Sequence, residues 1–468
     1  MEPYFSEVLW IVVLGFIVSF IVAFGVGAND VANSFATSVG SGVLTFRQAC
    51  YLASVFECAG AILIGYKVSD TIRKGILEVS IYEGNEEQLM LGMLAALIGS
   101  AVWLLVATYF KLPVSATHSV VGATVGFGLV AHGGKGIQYM QLVTIVVSWV
   151  VSPLLSGAIT VALFLLIHFL ILRANNPFKA GLIALPIIYG IAIFINVLSI
   201  TFDGSKLLKM DNLDLWMIFT ISTVAAVVVA IIAQLFIVPW QKKKILNKTI
   251  EEGAPYKEDI SVNTISTKAL DIAVIQDPKK AIQAEKDVKC ENNENVNKLF
   301  NYLQILSAIF SSFAHGGNDV SNAIGPLIAI WLIYTEGTTG SASESPILLL
   351  LYGGVGIVLG CWVFGERVIE TVGTNLTKIT PVTGFVIENG ASATVLLASK
   401  LGLPISTTHC KVGSVVFVGW THNKTLKDKS KEPVNWLLFR NIVVSWIVTI
   451  PAAGLTSAFF MWIFSYIY

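Results

Sequence analysis

The chain has 468 residues, 55% of them hydrophobic and 13% charged, with a mean hydropathy of +0.74 and a formal net charge of zero. Soluble domains carry about 25% charged residues, so this balance excludes a single large water-soluble core and points to lipid as the solvent. No basic stripe accompanies it, and no nucleic-acid partner is expected.

No Asp, Glu, Lys or Arg occurs at 8–29, 88–110, 136–172, 180–202, 215–241, 299–318, 345–365 or 441–468. A helix needs about 20 apolar residues to cross the hydrocarbon core. The pattern predicts spans near 8–27, 48–66, 89–110, 114–131, 140–172, 180–202 and 213–238. The first reads as a retained span, because Met1 to Glu7 holds Glu2 and Glu7 where a signal peptide would be basic. From Gln241 to Lys298 the chain turns polar and charged, opening on Lys242, Lys243 and Lys244, and reads as a disordered or loosely helical linker. Five further spans are expected near 301–325, 347–365, 382–400, 404–421 and 437–467. The organisation is therefore a first membrane half (1–240), a linker (241–298) and a second membrane half (299–468). Lysines beside a membrane exit favour the cytoplasm, which places the linker inside and, seven spans away, the N-terminus outside. Arg73 and Lys74 fall on the less favoured side in this scheme. The five cysteines, Cys50, Cys58, Cys290, Cys361 and Cys410, have no metal-ligand spacing and read as small hydrophobes.

The two halves repeat the same text. Gly27-Ala28-Asn29-Asp30-Val31-Ala32-Asn33 answers to Gly316-Gly317-Asn318-Asp319-Val320-Ser321-Asn322. Gly60 to Thr71 answers to Gly360 to Thr371, and Leu112 to His118 answers to Leu403 to His409. Val147-Ser148-Trp149 answers to Val444-Ser445-Trp446, each with a proline beyond it (Pro153, Pro451). Four blocks in one order indicate duplication, and the seven intervening spans make the copies opposite in orientation. The expected fold is an all-α polytopic membrane protein of about twelve segments, built from two inverted repeats with broken or re-entrant helices.

An aspartate within an apolar span costs roughly 2.5 to 3.5 kcal/mol on insertion scales. Asp30 and Asp319 each have asparagines at i−1 and i+3 (Asn29 and Asn33, Asn318 and Asn322), and i and i+3 share a helix face. These hard oxygen ligands suit sodium, and Gly25, Gly27, Gly316 and Gly317 are expected to let the helix break and offer carbonyls. The proline-led blocks place Ser115, Thr117, Ser406 and Thr408 beside free N–H groups at helix starts, which hold phosphate well. His118 and His409 either contact the ligand or pack the site, whereas His132, His168, His315 and His422 have no repeat partner and read as incidental. Glu57 and Glu388 are isolated acids in or beside spans, suited to pairing with a base, to proton relay or to a cation site. Lys67/Asp70 and Arg367/Glu370 read as i, i+3 ion pairs. No nucleotide-binding or hydrolase motif occurs, so the chain is expected to be no enzyme, to need no cofactor and to run on an ion gradient or passively.

Gly27 to Ser34 and Gly316 to Ala323 resemble the paired motifs of the inorganic phosphate transporter (PiT) family, and Leu403 to Trp420 is similar to its eukaryotic sodium-dependent members. The resemblance covers both membrane halves. It implies a homodimeric plasma-membrane symporter that carries phosphate with sodium. Phosphate and sodium would meet at Asn29, Asp30, Asn33, Asn318, Asp319, Asn322 and the hydroxyls of Ser115, Thr117, Ser406 and Thr408. Glu57 and Glu388 would be acids that transport requires. The linker is much shorter than in mammalian members. Rival readings are a proton-driven phosphate symporter, a carrier of sulfate or another tetrahedral oxyanion, and a receptor or sensor that no longer transports.

Overall fold

The structure is a computed structural model and describes residues 1–202, 208, 210–251, 278–340, 343–425 and 434–466. Among the described residues it is almost wholly helical, its β pairing limited to one isolated bridge between Leu77 and Ile137. The helices are α1 (Leu9–Gly40), α2 (Phe46–Ile64), α3 (Tyr66–Lys74), α4 (Glu86–Tyr109), α5 (Ala116–His132), α6 (Tyr139–Ile167), α7 (Pro177–Thr201), α8 (Leu215–Ile232) and α9 (Val238–Glu251). The second half follows with α10 (Pro278–Glu336), α11 (Ile347–Phe364), α12 (Glu366–Glu370), α13 (Pro381–Lys400), α14 (Thr407–Thr425) and α15 (Trp436–Phe464).

Local chemistry sets several of these boundaries. Thr45 opens α2 with a capping box, its hydroxyl accepting the Gln48 N–H at 3.3 Å while Gln48 Oε1 accepts the Thr45 N–H at 2.9 Å. Thr380 and Thr383 do the same for α13, with Pro381 at its first position. Gly133, at φ +61°, ends α5 in the left-handed region that a side chain would resist.

Nine helices among the described residues are long and apolar enough to cross a membrane. α5, α10 and α14 coincide with the other three expected spans. Exposed apolar side chains such as Trp216, Phe219 and Leu235 cover the outer face of the α8 segment, as lipid contact requires. The linker is helical at both ends, in α9 and in the start of α10, and its 252–277 portion lies outside the described residues.

Two expectations are corrected. α1 continues to Gly40 instead of ending near 27, and α10 passes unbroken through Gly316 and Gly317. The residues from Gly25 to Ser38 are polar enough to look like a helix exit, yet they are buried among other helices. The glycines serve close approach, not a break. A Cβ at Gly27 would lie 1.8 Å from the Ile357 carbonyl oxygen, and one at Gly316 would lie 2.2 Å from that of Glu57. The interruptions fall elsewhere, at Gly65 between α2 and α3 and at Gly365 between α11 and α12. There the side chains of Val320 and Val31 crowd the missing Cβ at 2.8 and 2.6 Å, so each motif valine packs under the other half's kink.

α4 and α5 form a helical hairpin whose outer ends lie together: Tyr82, whose carbonyl accepts the Asn85 N–H at 2.9 Å just before α4, packs edge-on against His132 at the end of α5, ring centroids 4.6 Å apart. α13 and α14 form a second hairpin, its outer ends near Leu376, which accepts the Asn435 N–H at 2.9 Å. The two hairpin tips, 110–115 and 401–406, meet beside α1 and α10.

The ion pairs also differ from expectation. Asp70 pairs with Arg73 at 2.9 Å, while Glu370 lies 3.9 Å from Lys111 on the surface and Arg367 stacks on Phe364. Cys50, Cys361 and Cys410 are buried free thiols and Cys58 is half-buried, whereas the Cys290 side chain lies outside the described residues.

Candidate functional site

α1 and α10 bring the two N-D motifs to the interior, where Asn29, Asp30, Asn33, Asn318, Asp319 and Asn322 are all buried. The i, i+3 geometry holds in both copies. Asn33 Nδ2 donates to Asp30 Oδ1 at 3.1 Å, and Asn322 Nδ2 donates to Asp319 Oδ1 at 2.8 Å. Asn33 Nδ2 also lies 3.1 Å from the Thr407 hydroxyl and 2.9 Å from that of Thr408, and its two protons serve two of the three acceptors at a time. Thr407 in turn donates to Asp319 Oδ2 at 2.5 Å.

The motif asparagines at i−1 do something different. Asn29 Nδ2 donates to Thr108 Oγ1 (3.1 Å) and to the Leu112 carbonyl (2.9 Å), while its Oδ1 accepts the Val114 N–H (3.0 Å). Asn29 therefore clamps the tip of the first hairpin to α1. Asn318 makes the corresponding bond to Ser399 Oγ at 2.9 Å, but its Oδ1 has no hydrogen-bond partner. Asp30 Oδ2 and Asn322 Oδ1 are likewise buried without a partner. Buried acceptors are nearly always satisfied, so these three unmet oxygens are open to a further partner. Asp30, His315 and Asp319 also bring ligand atoms within 4.8 Å of one another.

The hairpin tips supply the opposite chemistry. Ser115 Oγ caps α5 by accepting the His118 N–H at 3.2 Å, and Ser406 Oγ accepts the His409 N–H at 3.1 Å. The prolines precede these caps instead of entering the first turn. Thr117 Oγ1 donates to the Ile405 carbonyl at 3.0 Å, and Thr408 Oγ1 lies 2.9 Å from that of Val114. These are the same contact made in both directions, so the two helix starts are stitched to each other. Thr408 Oγ1 is also 3.0 Å from Asp30 Oδ1, and its single proton serves one acceptor at a time. The first N–H groups of each helix, at Ala116 and Thr117 and at Thr407 and Thr408, have no intrahelical acceptor. Two positive helix ends thus converge beside two carboxylates.

His118 and His409 lie behind the tips, ring centroids 4.6 Å apart, each 3.8 Å from a tryptophan ring (Trp149 and Trp446). His409 Nδ1 is 2.9 Å from the Trp149 carbonyl. They pack the hairpins against α6 and α15, with the tips between them and the carboxylates.

His315 corrects the expectation that it is incidental. Its Nδ1 lies 2.7 Å from Glu57 Oε2 and its Nε2 3.0 Å from Asp319 Oδ2, so it links an acid of α2 to the motif acid of α10. Glu57 Oε1 also accepts from Ser34 (3.2 Å) and Ser312 (2.9 Å). The sequence signal for His315 is its i, i+4 spacing to Asp319; repeat logic hid it because the matching position is Val26. Glu388 is buried, accepts from the Thr37 hydroxyl, and pairs with Lys411 at 2.5 Å. Sequence reasoning missed Lys411 and Thr407, although a lysine in an apolar run is itself a signal. A cavity about the size of one water borders this region, lined by Asn33, Ser311, His315, Ser392 and Thr407 among others.

A model of the phosphate transporter family matches residues 26–457 of the chain. The chain belongs to the phosphate transporter family. This family member is 38% identical to sodium-dependent phosphate transporter 2 of Xenopus tropicalis over 98% of both chains. It is 37% identical to the Homo sapiens protein of that name, covering 98% of this chain and 99% of the relative. With sodium-dependent phosphate transporter 1-A of Danio rerio the identity is 36%, covering 99% and 96%. A solved structure titled "The sodium-dependent phosphate transporter" superposes with a TM-score of 0.79 at 37% identity, over 98% of this chain and 100% of that one.

Proposed function

We propose that this transporter imports inorganic phosphate together with sodium ions. The observation that supports this reading most is that two helix N-termini, stitched together at Thr117–Ile405 and Thr408–Val114, meet the buried carboxylates of Asp30 and Asp319. The N–H groups of the two helix starts and the hydroxyls of Ser115 and Ser406 take the anion, joined by Thr117, Thr407 and Thr408 when their hydroxyl protons turn away from Ile405, Asp319 and Val114. Asp30, Asn33, Asp319, Asn322 and the free Oδ1 of Asn318 hold sodium beside it. Asn29 serves mainly as the clamp that keeps the first tip in place. Glu57, through His315, and Glu388 tune the charge of the centre. Sodium screens the anion from the two aspartates, and the loaded complex crosses a barrier that neither ion crosses alone.

The two halves are opposed in direction, as crosswise contacts of matching residues support. Lys242, Lys243 and Lys244 beside a membrane exit favour the cytoplasm for the linker, which puts the N-terminal segment on the extracellular side. Arg73, which ran against that orientation, is buried and tied to Asp70 and to the Ser343 carbonyl. The linker then lies in the cytoplasm, and the working unit is a homodimer in the plasma membrane.

Radiolabelled phosphate uptake into proteoliposomes tests the function. Uptake should collapse when choline replaces sodium and resist excess sulfate. Uptake that follows a proton gradient without sodium, or that sulfate abolishes, contradicts the proposal.

A further inference from the structure

We propose that Lys411 is a built-in cation: its ammonium fills the position that Glu388 would otherwise offer to a sodium ion, and so limits how many sodium ions accompany each phosphate. The proposal rests on the sodium-driven reading above. Lys411 and Glu388 are 1% and 0% exposed, and Nζ lies 2.5 Å from Oε2. Thr37 of α1 donates to the other carboxylate oxygen, so the pair joins α1, α13 and α14 one turn beyond Thr407 and Thr408.

Helix stability does not account for a lysine there. The N-terminal end of a helix is already positive and disfavours a cation. Nor does the repeat require it, since the matching positions in the first half are Leu97 and Val120, both buried and apolar. Of the four buried acids in this region, Asp30, Asp319, Glu57 and Glu388, only Glu388 holds a lysine. A buried carboxylate stripped of its partner must take up a proton or a metal cation, and sodium is the metal cation that this path delivers.

The test counts radiolabelled sodium bound per chain in the purified full-length protein, with the sodium dependence of phosphate uptake measured alongside. In Lys411→Met the bound sodium should rise by one per chain, and the uptake curve should steepen by about one in Hill slope. In the neutral double variant Glu388→Gln/Lys411→Met, the count should equal that of the unaltered protein. The proposal is overturned if Lys411→Met binds no additional sodium. It is equally overturned if the double variant binds one fewer, because Glu388 would then be a sodium ligand already. Should Lys411→Met not fold, Lys411→Gln takes its place in the sodium count, with the same outcomes. Failure of the unaltered protein to bind sodium at all would instead reject the symport reading, which separates the two outcomes.

Discussion

Each motif residue carries a different burden despite the identical text. Asp30 and Asp319 keep their carboxylates oriented through the i+3 asparagines. Replacing either by Asn keeps the shape and removes the charge, so Asp30→Asn and Asp319→Asn should each lower sodium-driven phosphate uptake at least tenfold, about 1.4 kcal/mol in the transport step. Uptake per correctly inserted molecule, quantified at the membrane, is the check. Asn29 and Asn318 should separate by stability. Asn29→Ala removes three buried hydrogen bonds at the first hairpin tip and should cost about 1–3 kcal/mol, read as a lower thermal midpoint in detergent. Asn318→Ala removes one bond and should cost less. The aspartates and asparagines were legible from sequence because a polar trio in an apolar run demands a reason. The division of labour within the trio was not legible, since it depends on which tip atoms come within reach. His315 and Lys411 were hidden for a related cause. Both break the internal symmetry, and a search for matching residues passes over groups that only one half possesses.

Among the elements, the duplicated blocks predicted two copies of one helical unit, but not that α1 and α10 run unbroken through their motifs. What they misplaced was the role of glycine. In sequence, a glycine beside a polar motif reads equally as a hinge or as a contact. Only the facing backbone distinguishes them, and here the carbonyls of Ile357 and Glu57 occupy the space that a side chain would need. Gly27→Ala and Gly316→Ala should therefore overpack the α1–α11 and α10–α2 crossings, at a cost of about 1–3 kcal/mol. Gly340→Ala is the control: among the described residues nothing lies within 4 Å of its missing Cβ, and the change should stay within about 0.5 kcal/mol of neutral. Folded yield and thermal midpoint in detergent distinguish the three. The helix boundaries missed for α1 have the same origin. Asn29 to Ser38 look like an exit into water, but their hydrogen-bonding partners lie on other helices, and the span ends only at Gly40.

At the scale of the whole molecule, the account is electrostatic. Helix ends that attract an anion and carboxylates that repel it are held side by side, so on the proposed reading each ligand binds more tightly when the other is present. A cycle that moves net positive charge inward is worth about 2.3 kcal/mol per charge per 100 mV, and an inside-negative potential should accelerate uptake in proteoliposomes. The most direct measurement is the thermodynamic coupling itself, by calorimetric titration of phosphate into the purified protein in sodium and in choline. The account predicts that sodium tightens phosphate binding and that phosphate tightens sodium binding by the same factor, with both effects lost in Asp30→Asn/Asp319→Asn. Phosphate affinity that is equal in sodium and in choline would contradict it.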